Sequence, residues 1–169
     1  MISTKYVIPS LLLVTLVLSS LIIVSYAQQP NEELVKIGAK VRLYSVRGHA
    51  TQRGTEDKPW INASMVLVGE ITEVNRSRIR IEIREGNIKI GDGNYIVKSG
   101  VARVIFRKFG WMGIVGNATS PEGTTYKFHL EGMLHIERPG LVMVGLAGPF
   151  TSDKDNYILR LLTRSEKPT

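Results

Sequence analysis

Two histidine–glutamate pairs, His129-Leu130-Glu131 and His135-Ile136-Glu137, hold the sharpest chemistry in the chain. On a strand, residues two apart share a face at a separation of about 6.5–7 Å. Each pair can therefore offer an imidazole and a carboxylate to one zinc- or copper-type ion, with other ligands from a neighbouring strand. Phe128, Leu130, Leu134 and Ile136 take the opposite parity and should face the core. His129 and His135 would stand roughly 20 Å apart on a straight strand. The set His129, Glu131, His135, Glu137 thus makes one metal site only if Gly132 folds the chain back. The competing reading is a solvated sheet face on which His and Glu merely alternate with core residues. Apart from that divalent metal, no cofactor is expected.

A second group is Arg76, Arg78, Arg80 and Arg84, spaced to line one face of a strand whose other face is Ile79, Ile81 and Ile83. Guanidinium groups on one ribbon can take phosphate or carboxylate bidentately. No aromatic residues alternate with them as base stacking requires, so an anionic glycan or lipid surface fits better than nucleic acid. The plain alternative is a cationic strand kept from pairing with other molecules.

His49, Thr51, Glu56, Asp57 and Trp60 bring an imidazole, two carboxylates and an indole into the polar stretch from Gly48 to Trp60, which reads as a long loop. A general base or a sugar-stacking surface is conceivable there, but the spacing matches no catalytic pattern. No residue is assigned as catalytic. The chain lacks a glycine-rich phosphate cradle, a Gly-x-Ser-x-Gly elbow, a His-Glu-x-x-His motif and any cysteine, which removes the enzymes those motifs define.

Three triplets, Asn62-Ala63-Ser64, Asn75-Arg76-Ser77 and Asn117-Ala118-Thr119, have the acceptor pattern for N-glycosylation. They carry meaning only in an exported chain, and the N-terminus supplies that context. Met1 to Lys5 is a short cationic start, Tyr6 to Tyr26 holds no charge, and Ser25-Tyr26-Ala27 ends the run on small residues before Gln28. This is the layout of a secretory leader. The apolar run also matches a bilayer of about 30 Å, so a retained single-span anchor is the alternative. Pro9 and the serines at 10, 19 and 20 favour cleavage. In both cases Lys5 keeps the start in the cytoplasm and residues after 27 lie outside the membrane. Expected divisions are a leader or anchor at 1–27, a linker at 28–34 and one domain at 35–169. Absent cysteines, a basic Ile/Val-rich make-up and the sequons point to an archaeal cell-surface protein.

Of 22 Lys+Arg and 15 Asp+Glu, only Lys5 lies in the leader, which leaves the exported part at +6. That balance keeps a domain soluble and also suits an anionic surface. The elements that must position all these residues read in period two. Val35 to Leu43, Met65 to Val74, Ile79 to Ile83, Tyr95 to Lys98 with Val101 to Phe109, Trp111 to Ala118, Tyr126 to Glu137, Leu141 to Ala147 and Tyr157 to Leu162 are expected strands. Glu85-Gly86-Asn87 and Gly91-Asp92-Gly93-Asn94 read as hairpin turns, and Gly100 as a bulge. Gly140 to Phe150 is uncharged; at a sheet edge it would invite self-association or an added partner strand.

The class is all-β, an antiparallel sandwich or barrel of about 8–9 strands, after an N-terminal hydrophobic signal or anchor helix. The expected function is an exported, non-enzymatic envelope domain with a binding or assembly role. The alternatives are a small barrel carrying an apolar ligand and an extracellular metal-assisted hydrolase.

Overall fold

Alternation along the third strand shows how this chain closes on itself. Ile79, Ile81 and Ile83 are buried, while Arg78, Arg80 and Glu82 between them turn to solvent. A computed structural model describes residues 36–54, 59–106, 110–138 and 141–166. Within them are β1 (Lys40–Gln52), β2 (Trp60–Asn75), β3 (Arg78–Ile90), β4 (Gly93–Phe106), β5 (Gly110–Thr119), β6 (Thr125–Arg138), β7 (Leu141–Thr151) and β8 (Asn156–Glu166). Each strand pairs antiparallel with the next, and β1 pairs with β8, so the sheet closes into an eight-stranded up-and-down barrel. The choice between sandwich and barrel falls to the barrel. The expected leader or anchor lies outside the described residues.

An eight-stranded barrel is just wide enough for its own side chains to fill. Here the inward positions are almost wholly apolar: Leu43, Met65, Leu67, Ile88, Ile114 and Phe150 are among those at 1% exposure or less. Thr163 is a buried exception, and its hydroxyl donates to the Val144 carbonyl at 3.0 Å. The core is therefore inside the barrel, and the outer face carries the charge.

Three strands change parity partway, which corrects several sequence expectations. On β1, Leu43 and Ala50 both point inward although they lie seven positions apart, because the register with β8 shifts between Ser45 and Arg47. An extra residue in one strand has this effect. It also leaves part of β2 without a β1 partner, and there the Met65 N–H donates to the Ser45 hydroxyl at 2.8 Å. The expected loop from Gly48 is thus strand as far as Gln52. On β3, Ile83 and Ile88 are both buried across a bulge opposite Val68/Gly69, so Glu85-Gly86-Asn87 is strand rather than turn. On β4, Tyr95 and Val97 share the interior with Ala102 and Val104; the shift falls between Val97 and Ser99, beside the expected Gly100. Of the expected turn Gly91-Asp92-Gly93-Asn94, Gly91 and Asp92 form the turn while Gly93 and Asn94 open β4.

Gly100 and Gly116 stand opposite each other, flanked by Ile83 and Phe128. A Cβ on Gly116 would lie 2.5 Å from Phe128 Cζ and 2.6 Å from the Ser99 carbonyl oxygen. Bare backbone here lets the wall bend around its contents. β7 lies between β6 and β8 and pairs with both, so the uncharged stretch from Leu141 is not an edge.

Candidate functional surfaces

β6 runs unbroken through Gly132, so the chain does not fold back. His129 and Glu131 do meet: Nε2 lies 2.7 Å from Oε1, with both side chains about half exposed on the outer wall. His135 is exposed farther along the same strand, and the Glu137 side chain lies outside what is described. No cluster of three or more His, Cys, Asp or Glu side chains suited to a metal occurs among the described residues.

The arginine group is divided by its neighbours. Arg76 is exposed in the β2–β3 turn. Arg78 pairs with Glu73 at 2.9 Å and Arg84 with Glu82 at 3.1 Å. Arg80 instead stands directly across the ladder from Arg103 on β4. Like charges opposite one another disfavour the sheet by a few tenths of a kcal/mol to about 1 kcal/mol. Sequence spacing on one strand could not reveal Arg103.

His49 and Thr51 lie on β1 and Trp60 opens β2, while Glu56 and Asp57 lie outside the described residues. His49 stacks on Trp60 with ring centroids 3.9 Å apart, and Trp60 remains 72% exposed. All three sequon asparagines, Asn62, Asn75 and Asn117, are exposed on the outer wall. Asn75 ends β2, and its Oδ1 accepts the Ser77 N–H at 3.2 Å. Asn117 sits beside the Gly100–Gly116 bend, where a shallow outer groove is bordered by Glu82, Arg84, Ser99, Asn117 and Lys127.

One cluster was not anticipated from sequence. The β1–β2, β3–β4, β5–β6 and β7–β8 connections share one rim. There Tyr95, Tyr126 and Phe150 pack with centroids 4.8–4.9 Å apart. The Tyr126 hydroxyl donates to Asp155 Oδ2 at 2.6 Å. Burial pushes the phenols of Tyr95, Tyr126 and Tyr157 above the usual tyrosine range. The Ser120 hydroxyl, donating to Glu122 at this rim, holds that carboxyl below its usual range. Neutral phenols and a paired carboxylate make a polar cap over an apolar barrel rather than reactive groups. Tyrosines at strand starts carry no motif, which is why spacing alone passes over them.

The class these features define is a closed antiparallel barrel, packed solid and charged outside. No family model matches the sequence, and no curated protein matches it either. Among solved structures, the Yersinia pestis outer membrane protein Ail in a phospholipid bilayer nanodisc is similar at 12% identity and TM-score 0.49, over 77% of this chain and 99% of that one. The crystal structure of Ail, the attachment invasion locus protein of Yersinia pestis, gives 13% identity and TM-score 0.49 over 78% and 98%. A de novo designed fluorescence-activating β-barrel gives 14% and 0.38 over 83% and 100%. Likeness at this level carries no functional argument.

Proposed function

We propose that this chain is an exported, non-enzymatic β-barrel of the cell envelope whose binding or assembly role is carried by its outer wall. The supporting observation is a conjunction: a secretory-type N-terminus at 1–27 precedes a barrel on which all three sequon asparagines are exposed. The barrel stands beside a membrane, not through it. A lipid-facing wall needs an apolar band, yet Glu82 and Arg84 on β3, Glu131 on β6 and Arg160 on β8 interrupt this wall near mid-height, among the exposed Val46, Val115, Met133 and Leu162. Each arginine there would cost about 2–4 kcal/mol at a bilayer midplane.

The interior lends little to a carrier role, since Phe150, Leu43, Met65 and their neighbours fill the space a ligand would take. The His129–Glu131 pair lies on an exposed convex wall, not in a cleft that excludes water, which weighs against the hydrolase. Fractionation of the native cell, with N-terminal sequencing of the recovered protein, tests the proposal. A mature chain beginning at Gln28 outside the cell, or an intact one in the membrane fraction, is the expected result. Recovery of the intact chain in the cytoplasm overturns it.

A further inference from the structure

The net charge of the barrel is not spread over its surface. The β2–β3 and β4–β5 connections share a rim with the start of β1 and the end of β8. Lys36, Lys40, Arg76, Arg80 and Arg103 stand at or near this rim with no carboxylate in ion-pairing contact among the described residues. Of its described carboxylates, Glu73 and Glu166 are already held by Arg78 and Arg42 at 2.9 and 2.8 Å. Lys40 faces Glu70 across the ladder without closing a bridge. The tyrosine rim differs: among the described residues Arg53, Lys89, Lys127 and Lys154 are matched there by Asp92, Glu122, Asp153 and Asp155. Among the described residues the barrel is therefore electrically polarised along its axis.

Apolar side chains are exposed among the free cations. Gly38 donates its N–H to the Ile71 carbonyl, which brings residues 36–38 alongside the end of β2. Ile37 is 68% exposed and Val74 37% exposed, next in sequence or nearly so to Lys36 and Arg76. Aliphatic tips surrounded by unpaired cations are what a headgroup layer accepts, the cations meeting lipid charge and the tips entering the acyl boundary. A soluble acidic glycan would gain nothing from Ile37 and Val74.

We propose that the rim bearing Lys36, Ile37, Val74, Arg76 and Arg80 docks on an anionic lipid surface, so that the barrel stands on the membrane with its tyrosine rim outward. This rests on the envelope reading only for where such a surface is met.

The test uses residues 28–169, because every described core residue and ladder partner lies within them and the apolar N-terminal run would enter lipid unaided. Sedimentation is measured with phosphatidylcholine vesicles and with vesicles also containing phosphatidylglycerol. Binding is expected only to the latter, falling as salt shortens the reach of charge. Lys36→Glu, Arg76→Glu and Arg80→Glu together should weaken it roughly a hundredfold. Lys89→Glu, Lys98→Glu and Lys127→Glu make the same change in net charge elsewhere and should leave most binding intact.

Because the chain has no cysteine, Ile37→Cys can carry a polarity-sensitive dye in an otherwise native barrel. Its emission should shift blue on the anionic vesicles, while the same dye at Thr125→Cys should not. Equal loss in both charge variants, equal dye shifts at both rims, or capture by dextran sulfate without vesicle binding would each overturn the proposal. Such a failure leaves the export reading standing, since the N-terminal sequence decides that separately.

Discussion

Tyr126 at the start of β6 and Asp155 in the β7–β8 turn are joined by a 2.6 Å hydrogen bond from phenol to carboxylate. The contact ties two neighbouring hairpins together over the end of the apolar core. Replacing Tyr126 by Phe leaves the Asp155 carboxylate without that donor at a partly buried site, which should cost about 1–3 kcal/mol. Urea unfolding of Tyr126→Phe at neutral pH measures it; an unchanged midpoint would mean the bond contributes nothing net.

The same cluster sets a pH limit. Folding raises the pKa of Tyr95, Tyr126 and Tyr157 above the ordinary value of 10.0. The folded state thus holds its protons where the unfolded chain has begun to lose them. Stability is fully present below about pH 10 and declines as pH rises further, because the unfolded state then binds fewer protons. Melting temperatures taken from pH 8 to 11.5 should fall above that point, and less steeply in Tyr126→Phe.

Two glycines should respond oppositely to alanine. Gly116→Ala drives a methyl against the Phe128 ring and the Ser99 carbonyl and is expected to cost about 1–3 kcal/mol. Gly145→Ala meets nothing within 4 Å and should fall within about 0.5 kcal/mol of the parent. Comparing both denaturation midpoints under one set of conditions checks the close packing of the wall.

His129 and Glu131 supply two ligands on an open wall. Zinc or copper ions should bind no tighter than about micromolar, since a stable tetrahedral site needs more protein ligands than these two. Calorimetric titration of the barrel and of His129→Ala measures this; sub-micromolar binding that His129→Ala abolishes would restore the metal reading.

Asn75 is the sequon asparagine that caps a hairpin, with its carbonyl oxygen turned back to the Ser77 N–H. Native protein is expected to carry mass beyond the polypeptide, with one increment lost in Asn75→Gln. A native mass equal to the bare mature chain would retire all three sequons.

How the sequence foretold the fold depends on its bulges. Where parity holds, as from Ile79 to Ile83 or along the inward Tyr126, Phe128 and Leu130, alternation located the strand and its buried face. Where a bulge flips parity, the pattern breaks in mid-strand. Gly48 with His49, and Gly86 with its neighbours, then resembled loop and turn although both lie within ladders. Surface relationships were less legible for a related reason. His129 and Glu131 share a strand face, so their spacing placed them side by side; Arg80 and Arg103 stand opposite each other only through β3–β4 register. Closure itself has no local signal, because it depends on the first strand meeting the last.

That meeting has a kinetic consequence. The Arg42–Glu166 ion pair joins residues 124 positions apart, and the rest of the β1–β8 ladder spans comparable distances. Loop closure over so long a chain is slow, and contacts this distant in sequence delay folding. Seven strands must wait as an open sheet with β1 and β7 bare, each a template for a neighbouring chain. If the polypeptide crosses a membrane from its N-terminus, the barrel cannot seal until β8 has emerged. The hazardous interval for this molecule is the moment before β8 arrives.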